Sequence, residues 1–411
     1  MADFAIAGGG IAGLVLARRL ALGGRSVTLH EARDQLGGTV GQHRVGDLDL
    51  DSGAESFAVY GGVVAALAVD LGLETEAPAT RGAWLLPPTG GARPLPATGV
   101  FGIPGHPLAA DVRAVLGLGG SLRAAVDAVL PAKPLAVDAT IGALVRERMG
   151  RRALERLVAP VVHGVYSLDP NDLAVDTAVP ALRGALTREG SLAAAVRSLR
   201  AEVPAGSAVA GIRGGMHQLV VALTRELAHL GVDVRLGDPV DLARTGLIVA
   251  APFAPEGRRV TLVTLVVDVP ELDSAPRGTG VLVASGATGV LARALTHSTA
   301  KWGWLRELAA GRHVLRLSYD DGALPRGELR SDLHGDLRSN LCEIALADAG
   351  ALLGVPIAAT SVLDFDTVEW TRPRHTQAPP GVTAVGESVA GSGLARIIAH
   401  ADRVAEVLLA D

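Results

Sequence analysis

The chain has 411 residues, 49% of them apolar, a formal charge of −5, eleven scattered histidines and one cysteine. That length and apolar content can fill a large core split between two or more domains, and the acidic balance argues against general affinity for nucleic acid. Cys342 alone permits no internal disulfide and suits a reducing cytoplasm, and no apolar run approaches the roughly 18 residues of a spanning helix, so the chain reads as soluble.

In chain order, the first element is a short apolar strand, Phe4-Ala-Ile-Ala7, running into Gly8-Gly-Gly10-Ile11-Ala12-Gly13. Gly8 and Gly10 allow a tight turn and close approach of backbone to a pyrophosphate, and Gly13 lets the next helix pack on the strand. That helix presents free N–H groups to the phosphates. Arg18 and Arg19 interrupt its apolar stretch, and no basic leader precedes it, so the start reads as strand and helix and not as a signal peptide. A second strand, Ser26 to Leu29, leads to Glu31. This carboxylate lies about twenty residues past the glycines, where a dinucleotide fold needs an acceptor for ribose hydroxyls. Ala32-Arg33 and the pair Gly37-Gly38 follow, then Thr39, and further on Asp51-Ser-Gly53-Ala54-Glu55.

Residues 107–116, 121–130, 141–149 and 153–162 have helical periodicity broken by Gly and Pro, and they predict a helical lobe. Gly214-Gly215 opens another helix, residues 232–236 read as a strand, and Val240 follows. Alternation of β-branched residues predicts strands at 260–269, 280–284 and 313–319, and residues 329–353 read as a helix. Trp302 and Trp304, two apart, would share one face of a strand, either walling a flat ligand or filling core. Near the C-terminal end, Gly386-Glu387 and Gly393 lead into an amphipathic helix over 394–409 that begins at Leu394. No metal-ligand spacing emerges.

Glu31 followed by Gly37-Gly38, with the Asp-x-Gly-Ala block at 51–54, resembles the extended FAD signature of the flavin amine oxidase superfamily. The resemblance implies FAD as cofactor, held by Gly8, Gly10, Ile11, Ala12, Gly13, Glu31, Ala32, Arg33, Gly37, Gly38, Thr39, Gly53, Ala54, Glu55, Val240, Gly386, Glu387, Gly393 and Leu394. It also implies a Rossmann-type FAD domain built from 1–78, 205–254 and 375–411. A mixed-sheet substrate domain would comprise 79–105 and 255–374, with a helical lobe at 106–204. The fold class expected is therefore α/β plus α+β. The C-terminal helix would aim its positive end at the flavin's N1 and O2 edge, where negative charge develops on reduction.

Within the superfamily, several segments resemble the bacterial protoporphyrinogen and coproporphyrinogen III oxidases, especially the soluble Gram-positive forms. These are Arg93-Pro-Leu-Pro96 with Phe101-Gly-Ile-Pro104, Pro160 to Tyr166, Gly190-Ser-Leu192 and Ser298-Thr-Ala-Lys301-Trp302, the last placed by the resemblance in the substrate-domain sheet. The resemblance implies flavin-centred oxidation of a porphyrinogen by dioxygen, with hydrogen peroxide as product, in haem biosynthesis. It implies no catalytic triad. A macrocycle bearing propionates needs a wide apolar slot rimmed by cations. Arg93, Arg183 and Lys301 are the candidate cations, Tyr166 and His163 a polar wall, and Trp302 a flat one. Lys301 is also the candidate catalytic residue. A monomer is favoured.

The departures are specific. Thr39 stands where the family carries Arg or Lys, Ala58 to Gly62 replaces expected basic residues, and the links after Val240 and after Gln377 are short. Two other readings follow: a flavin oxidase of amines or polyenes, or a degraded, tetrapyrrole-binding paralogue. With only 3% aromatic residues, an aromatic cage for an amine is disfavoured.

Overall fold

The structure is a computed structural model that describes residues 2–59, 61–79, 82–131, 133–166, 168–201, 209–242, 246–253, 257–324, 335–373 and 376–410; side chains at 165–166 and 335–339 lie outside the description. The elements that position the site begin with β1 (Phe4–Ala7), α1 (Ile11–Leu22) and β2 (Val27–His30). A hairpin, β3 (Gln42–Val45) and β4 (Leu48–Asp51), precedes the edge strands β5 (Trp84–Leu86) and β6 (Arg93–Pro94). The helical lobe contains α2 (Ala110–Ala125), α3 (Ile141–Met149) and α4 (Ala159–Tyr166). The chain then returns through α5 (Gln218–His229), β7 (Asp233–Arg235) and β8 (Leu247–Val249). A larger sheet follows, with β9 (Gly257–Val267), β10 (Gly280–Val283), β11 (Ala294–His297), β12 (His313–Asp320), helix α6 (Gly335–Leu353) and β13 (Val362–Pro373). Helix α7 (Leu394–Ala410) comes last.

The first sheet is parallel, in the order β7-β2-β1-β8, with Ala5 opposite both Thr28 and Leu247. Ala384 pairs in parallel with Val249 and extends this sheet. One sheet therefore draws strands from three stretches of sequence. The short runs feeding it are apolar because both faces are covered: all four residues of β2 are buried, and α1 and α7 lie together over the sheet. Helix α1 buries nine of its twelve residues, so its pattern is apolar almost all round. Gly23 ends it where a Cβ would come within 2.4 Å of Leu409 on α7.

The second sheet has seven strands in the order β13-β9-β12-β11-β10-β5-β6; β5 and β10 pair in parallel, the others antiparallel. Alternation sorts its two faces. Val263, Leu265, Leu315 and Leu317 point outward and pack with Leu346, Ala349 and Leu352 of α6. The opposite face meets the helical lobe and the first sheet's domain: Leu85 and Ala284 join the lobe's core, and Leu282 lies 2.6 Å from where a Cβ on Gly164 would be. The fold is thus α/β plus α+β, with a mixed sheet and a helical lobe.

Several expectations shift. The helices read at 107–116 and 121–130 stand on either side of a break at Gly117 (φ 71°, ψ 167°), the first beginning at Ala110 and the second ending at Ala125, and a short 3-10 turn follows at 126–129. The fourth lobe helix begins at Arg151 and contains a π turn, Leu154–Val158. Residues 329–334 of the expected long helix, and the boundaries drawn at 205, 254 and 375, lie outside the described residues. Inside the lobe, Arg148 and Asp127 form a buried pair at 2.5 Å. Further bonds support the pair: Arg148 also donates to the carbonyls of Pro131, Asp127 and Gly190, and Asp127 accepts from the Ala193 amide.

Candidate active site

Gly8 follows β1 with φ +114°, and a Cβ there would come within 2.8 Å of the Ala250 carbonyl carbon. At Gly13 a Cβ would lie 1.9 Å from the Gly8 carbonyl oxygen. Both positions require glycine for close approach. Gly10 differs, because no protein atom lies within 4 Å of its would-be Cβ. It is also the N-cap of α1, with no side chain capping the helix and no acid in the first turn. The first-turn amides of Ile11, Ala12 and Gly13 therefore point to a space that suits an anion.

The second glycine pair closes on this turn. The Gly37 amide donates to Gly9 O at 2.9 Å, Gly10 and Gly37 pair as parallel backbone, and a Cβ on Gly38 would lie 3.5 Å from Gly10 Cα. Thr39 packs through its main chain: its carbonyl accepts from the Ala54 amide at 2.8 Å, and a Cβ on Gly53 would come within 2.1 Å of the same oxygen. Glu31 accepts from the amides of Gly9 at 2.7 Å and Arg33 at 2.9 Å. Ala32 lies exposed between them. The Asp238 amide donates to the Glu31 carbonyl, which brings the segment ending at half-buried Val240 beside the acid. From the far end of the chain, a Cβ on Gly386 would lie 3.5 Å from both Ala12 Cβ and Ala250 O. Gly393 (φ +106°) starts α7 at Leu394. Glu387 accepts from Arg372 at 3.0 Å and from Ser392 at 2.7 Å. An open glycine cradle, uncapped amides and a carboxylate beside them together fit a dinucleotide cofactor.

Beneath the Gly53–Ala54 turn lies a buried charge cluster. Glu55 accepts from Trp302 Nε1 at 3.1 Å and meets Lys301 at 3.8 Å, while Arg316 donates to the Gly53 carbonyl. Burial pushes the Glu55 carboxyl up, but Lys301, Arg316 and hydrogen bonds from Ser298 and Trp302 outweigh it and hold Glu55 below its usual range. Lys301 also lies over the Trp302 ring, 4.9 Å from its centroid. The ring fits because residue 211 is glycine, where a Cβ would come within 2.9 Å of it.

This corrects the strand reading of Lys301, Trp302 and Trp304. Strand β11 ends at His297, Ser298–Lys301 form a helical turn, Trp302 is extended, and Gly303–Ala309 is helical. Trp302 is 2% exposed and packs as core beneath the cluster, so it is not a substrate wall. Arg183 and Arg93 are corrected too. Arg183 gives its donors to Asp176 and the carbonyls of Leu135, Ala136 and Val137, and Arg93 ties β6 to α2 through Ala114 O at 2.6 Å. Both are staples of the fold. His163 is half-buried on α4, where burial and then Arg258 lower its pKa. The Tyr166 side chain lies outside the described residues. After Glu55 the chain turns through Gly61 (φ 76°) and Gly62 (φ 67°), with open space beside both, where basic residues were expected.

Sequence reasoning missed the inner sheet face. Arg316 and Asp320 on β12, Arg258 on β9, and Trp370 and Arg372 on β13 face the other two parts of the molecule; Trp370 Nε1 donates to Ser52 O at 2.7 Å, and Arg33 lies 5.3 Å from the Trp370 ring centroid. The signal was present in Val314-Leu-Arg316-Leu-Ser318-Tyr-Asp320, where polar residues alternate within an otherwise apolar strand.

A parallel dinucleotide fold assembled from separated segments, joined to a large mixed sheet over a Glu–Lys–Arg cluster, defines an FAD-dependent oxidoreductase. The chain belongs to the flavin containing amine oxidoreductase family, whose pattern matches residues 11–263. It is 28% identical to the coproporphyrinogen III oxidase of Mycobacterium leprae (strain TN), across 100% of this chain and 98% of that protein. It is 29% identical to the coproporphyrinogen III oxidase of Mycobacterium tuberculosis (strain ATCC 25618 / H37Rv), covering 77% of this chain and 76% of the relative. A crystal structure from Exiguobacterium sp. 255-15, described as a candidate protoporphyrinogen oxidase, superposes with a TM-score of 0.79 at 21% identity, over 99% of this chain and 98% of that one. Among the described residues no helix is long and apolar enough to cross a membrane.

Proposed function

We propose that this chain oxidises a porphyrinogen to a porphyrin, coproporphyrinogen III in preference to protoporphyrinogen IX, with dioxygen as acceptor and hydrogen peroxide as product, in haem biosynthesis. The observation that carries this reading is the inner face of the seven-stranded sheet. Leu262, Leu282, Ala294, Ser318, Val368 and Trp370 all lie on it and are half-buried. A broad, mostly apolar and half-buried sheet face suits a flat macrocycle, whose propionates call for nearby cations. Similarity to the Mycobacterium leprae enzyme along the whole chain supports it.

Bound in the cradle, FAD supplies a two-electron acceptor, used three times because a porphyrinogen gives up six electrons. Gly10, Gly37 and Gly38 would let backbone reach the diphosphate, the α1 amides would oppose its charge, and Glu31 would accept from ribose hydroxyls. The positive N-terminal end of α7 at Leu394 would favour negative charge on the reduced group. Lys301 is the candidate catalytic cation, and Glu55 positions it while Trp302 excludes water from below.

The test is anaerobic mixing of the purified, flavin-loaded protein with coproporphyrinogen III. Flavin bleaching, then recovery in air with peroxide and porphyrin fluorescence, is the expected result. Bleaching by an amine or polyene and by no porphyrinogen overturns it. Thr39 and the lost basic residues after Glu55 favour one second reading, a tetrapyrrole-binding paralogue without turnover; that protein would purify colourless.

A further inference from the structure

On the inner face of the large sheet, Thr296 of β11, Arg316 of β12, Thr264 of β9 and Asp366 of β13 stand opposite one another in a single polar rung. The rung to one side is sealed and apolar, with Val266 and Val314 at 1% and 2% exposure. To the other side lies the half-buried face of Leu262, Ser318, Ala294 and Val368. Thr264 and Arg316 are both buried, yet among the described residues Thr264 Oγ1 and Arg316 Nε bond to no protein group. His43 of β3 holds Asp366 at 2.7 Å through Nδ1, and its own buried Nε2 is likewise without a protein partner. A buried polar atom lacking a partner is costly and rare, so three on bonded or register-paired neighbours mark a site built for a polar occupant.

Charge decides which occupant. Arg316 donates to the Gly53 carbonyl and faces Glu55 and Asp51, while Asp366 closes the far end of the rung. These acids answer the charge of Arg316 and Lys301, so no surplus is left for an anion, and the guanidinium repels a metal cation. A small neutral molecule that both donates and accepts remains, and water satisfies hydroxyl, guanidinium and imidazole alike.

Resting on the porphyrinogen reading above, we propose that ordered water bridges Thr264 and Arg316 and, together with His43 and Asp366, carries protons between the inner sheet face and solvent. The Asp366 side chain is 36% exposed and gives the chain its outlet. Each two-electron step breaks one C–H bond of the substrate, whose hydride goes to the flavin, and one N–H bond, whose proton needs an acceptor, as a C=N bond forms. Dioxygen then takes the two electrons and the hydride's proton, with one further proton, to give hydrogen peroxide. The N–H proton must therefore leave the face in one half of the cycle and an equivalent proton return in the other.

Two measurements on the flavin-loaded protein test the relay without any porphyrinogen. In a crystal structure, water is expected within hydrogen-bond distance of both Thr264 Oγ1 and Arg316 Nε; no water on either atom overturns the site. In anaerobic stopped-flow reduction by dithionite, the flavin takes up protons along with its two electrons, and the wild type should bleach with little solvent isotope effect. Thr264→Val, close in shape but without the hydroxyl, should slow bleaching by about tenfold or more and raise the isotope effect. Thr264→Ser restores the hydroxyl and should restore both, which a purely structural role would not do. His43→Gln should act in the same direction as the valine variant and replaces it should that variant lose its flavin. Wild-type rates and isotope effects in both variants, or a serine variant as slow as the valine one, overturn the relay. A relay that responds in this way in an enzyme that oxidises no porphyrinogen overturns the function proposed above and leaves the relay standing. Porphyrinogen turnover with indifferent variants overturns the relay alone.

Discussion

Gly13 has no room for a methyl group, since the Gly8 carbonyl oxygen lies 1.9 Å from where its Cβ would be. Gly13→Ala is therefore expected to separate α1 from β1 and yield protein without bound flavin, read as loss of the visible flavin absorbance after gel filtration. Glu31→Gln should weaken FAD binding about tenfold in a fluorescence titration, because a neutral amide accepts ribose hydroxyls less strongly than a carboxylate. Lys301→Met removes one counter-ion of buried Glu55 but leaves Arg316. Unfolding in urea should show a loss of about 1–3 kcal/mol, and reduction of the flavin by substrate should slow. Glycines and the ribose acid were legible in sequence because their constraints are local. The alternation around Arg316 marked a polar position on its strand, but the surface it shares with Arg258 and Arg372 was not legible, because it exists only after strands far apart in sequence pair.

Between strands β11 and β12, His297 Nε2 and His313 Nδ1 lie 3.1 Å apart, both buried. Burial, then His313, lowers the His297 pKa to about 3, and burial lowers that of His313 despite Asp273. In the unfolded chain these rings titrate near 6.5, so below that pH the unfolded state binds more protons than the folded one. The stability they contribute is present above about pH 6.5 and is lost as pH falls from there toward 3. Denaturant titrations should show a decline on the order of 1 kcal/mol per pH unit below 6, flattened in His297→Gln. In the lobe, Arg148→Ala strands the Asp127 carboxylate in the core and should cost about 3–5 kcal/mol, read from the denaturation midpoint. Element-level reading failed where a local break was misjudged. Gly117 was legible as a helix break, whereas Ser298–Lys301 coil immediately after a strand whose residues gave no turn signal.

The molecule as a whole is organised by its two largest sheets, and the seam between their domains carries Arg316 to Gly53, Trp370 to Ser52 and Arg372 to Glu387. A ligand held at that seam binds the folded state alone, so adding FAD at about 100 times its dissociation constant should raise unfolding free energy by roughly 2.7 kcal/mol, seen as a higher melting temperature. The α/β core and the mixed sheet were readable from periodicity and glycine placement. The order in which seven strands assemble was not, because nothing local distinguishes β13 beside β9 from its rivals.

The strand position at Ala384 and the packing of α7 on α1 have a temporal meaning. During synthesis the stretch bearing Gly386, Gly393 and Leu394 leaves the ribosome after every other part of the cradle has emerged. A nascent chain can fold its lobe and pair much of its large sheet long before it can retain the vitamin-derived pigment. Acquiring yellow colour should thus be among the last events of biogenesis, and prematurely terminated chains should emerge pale and open to proteases.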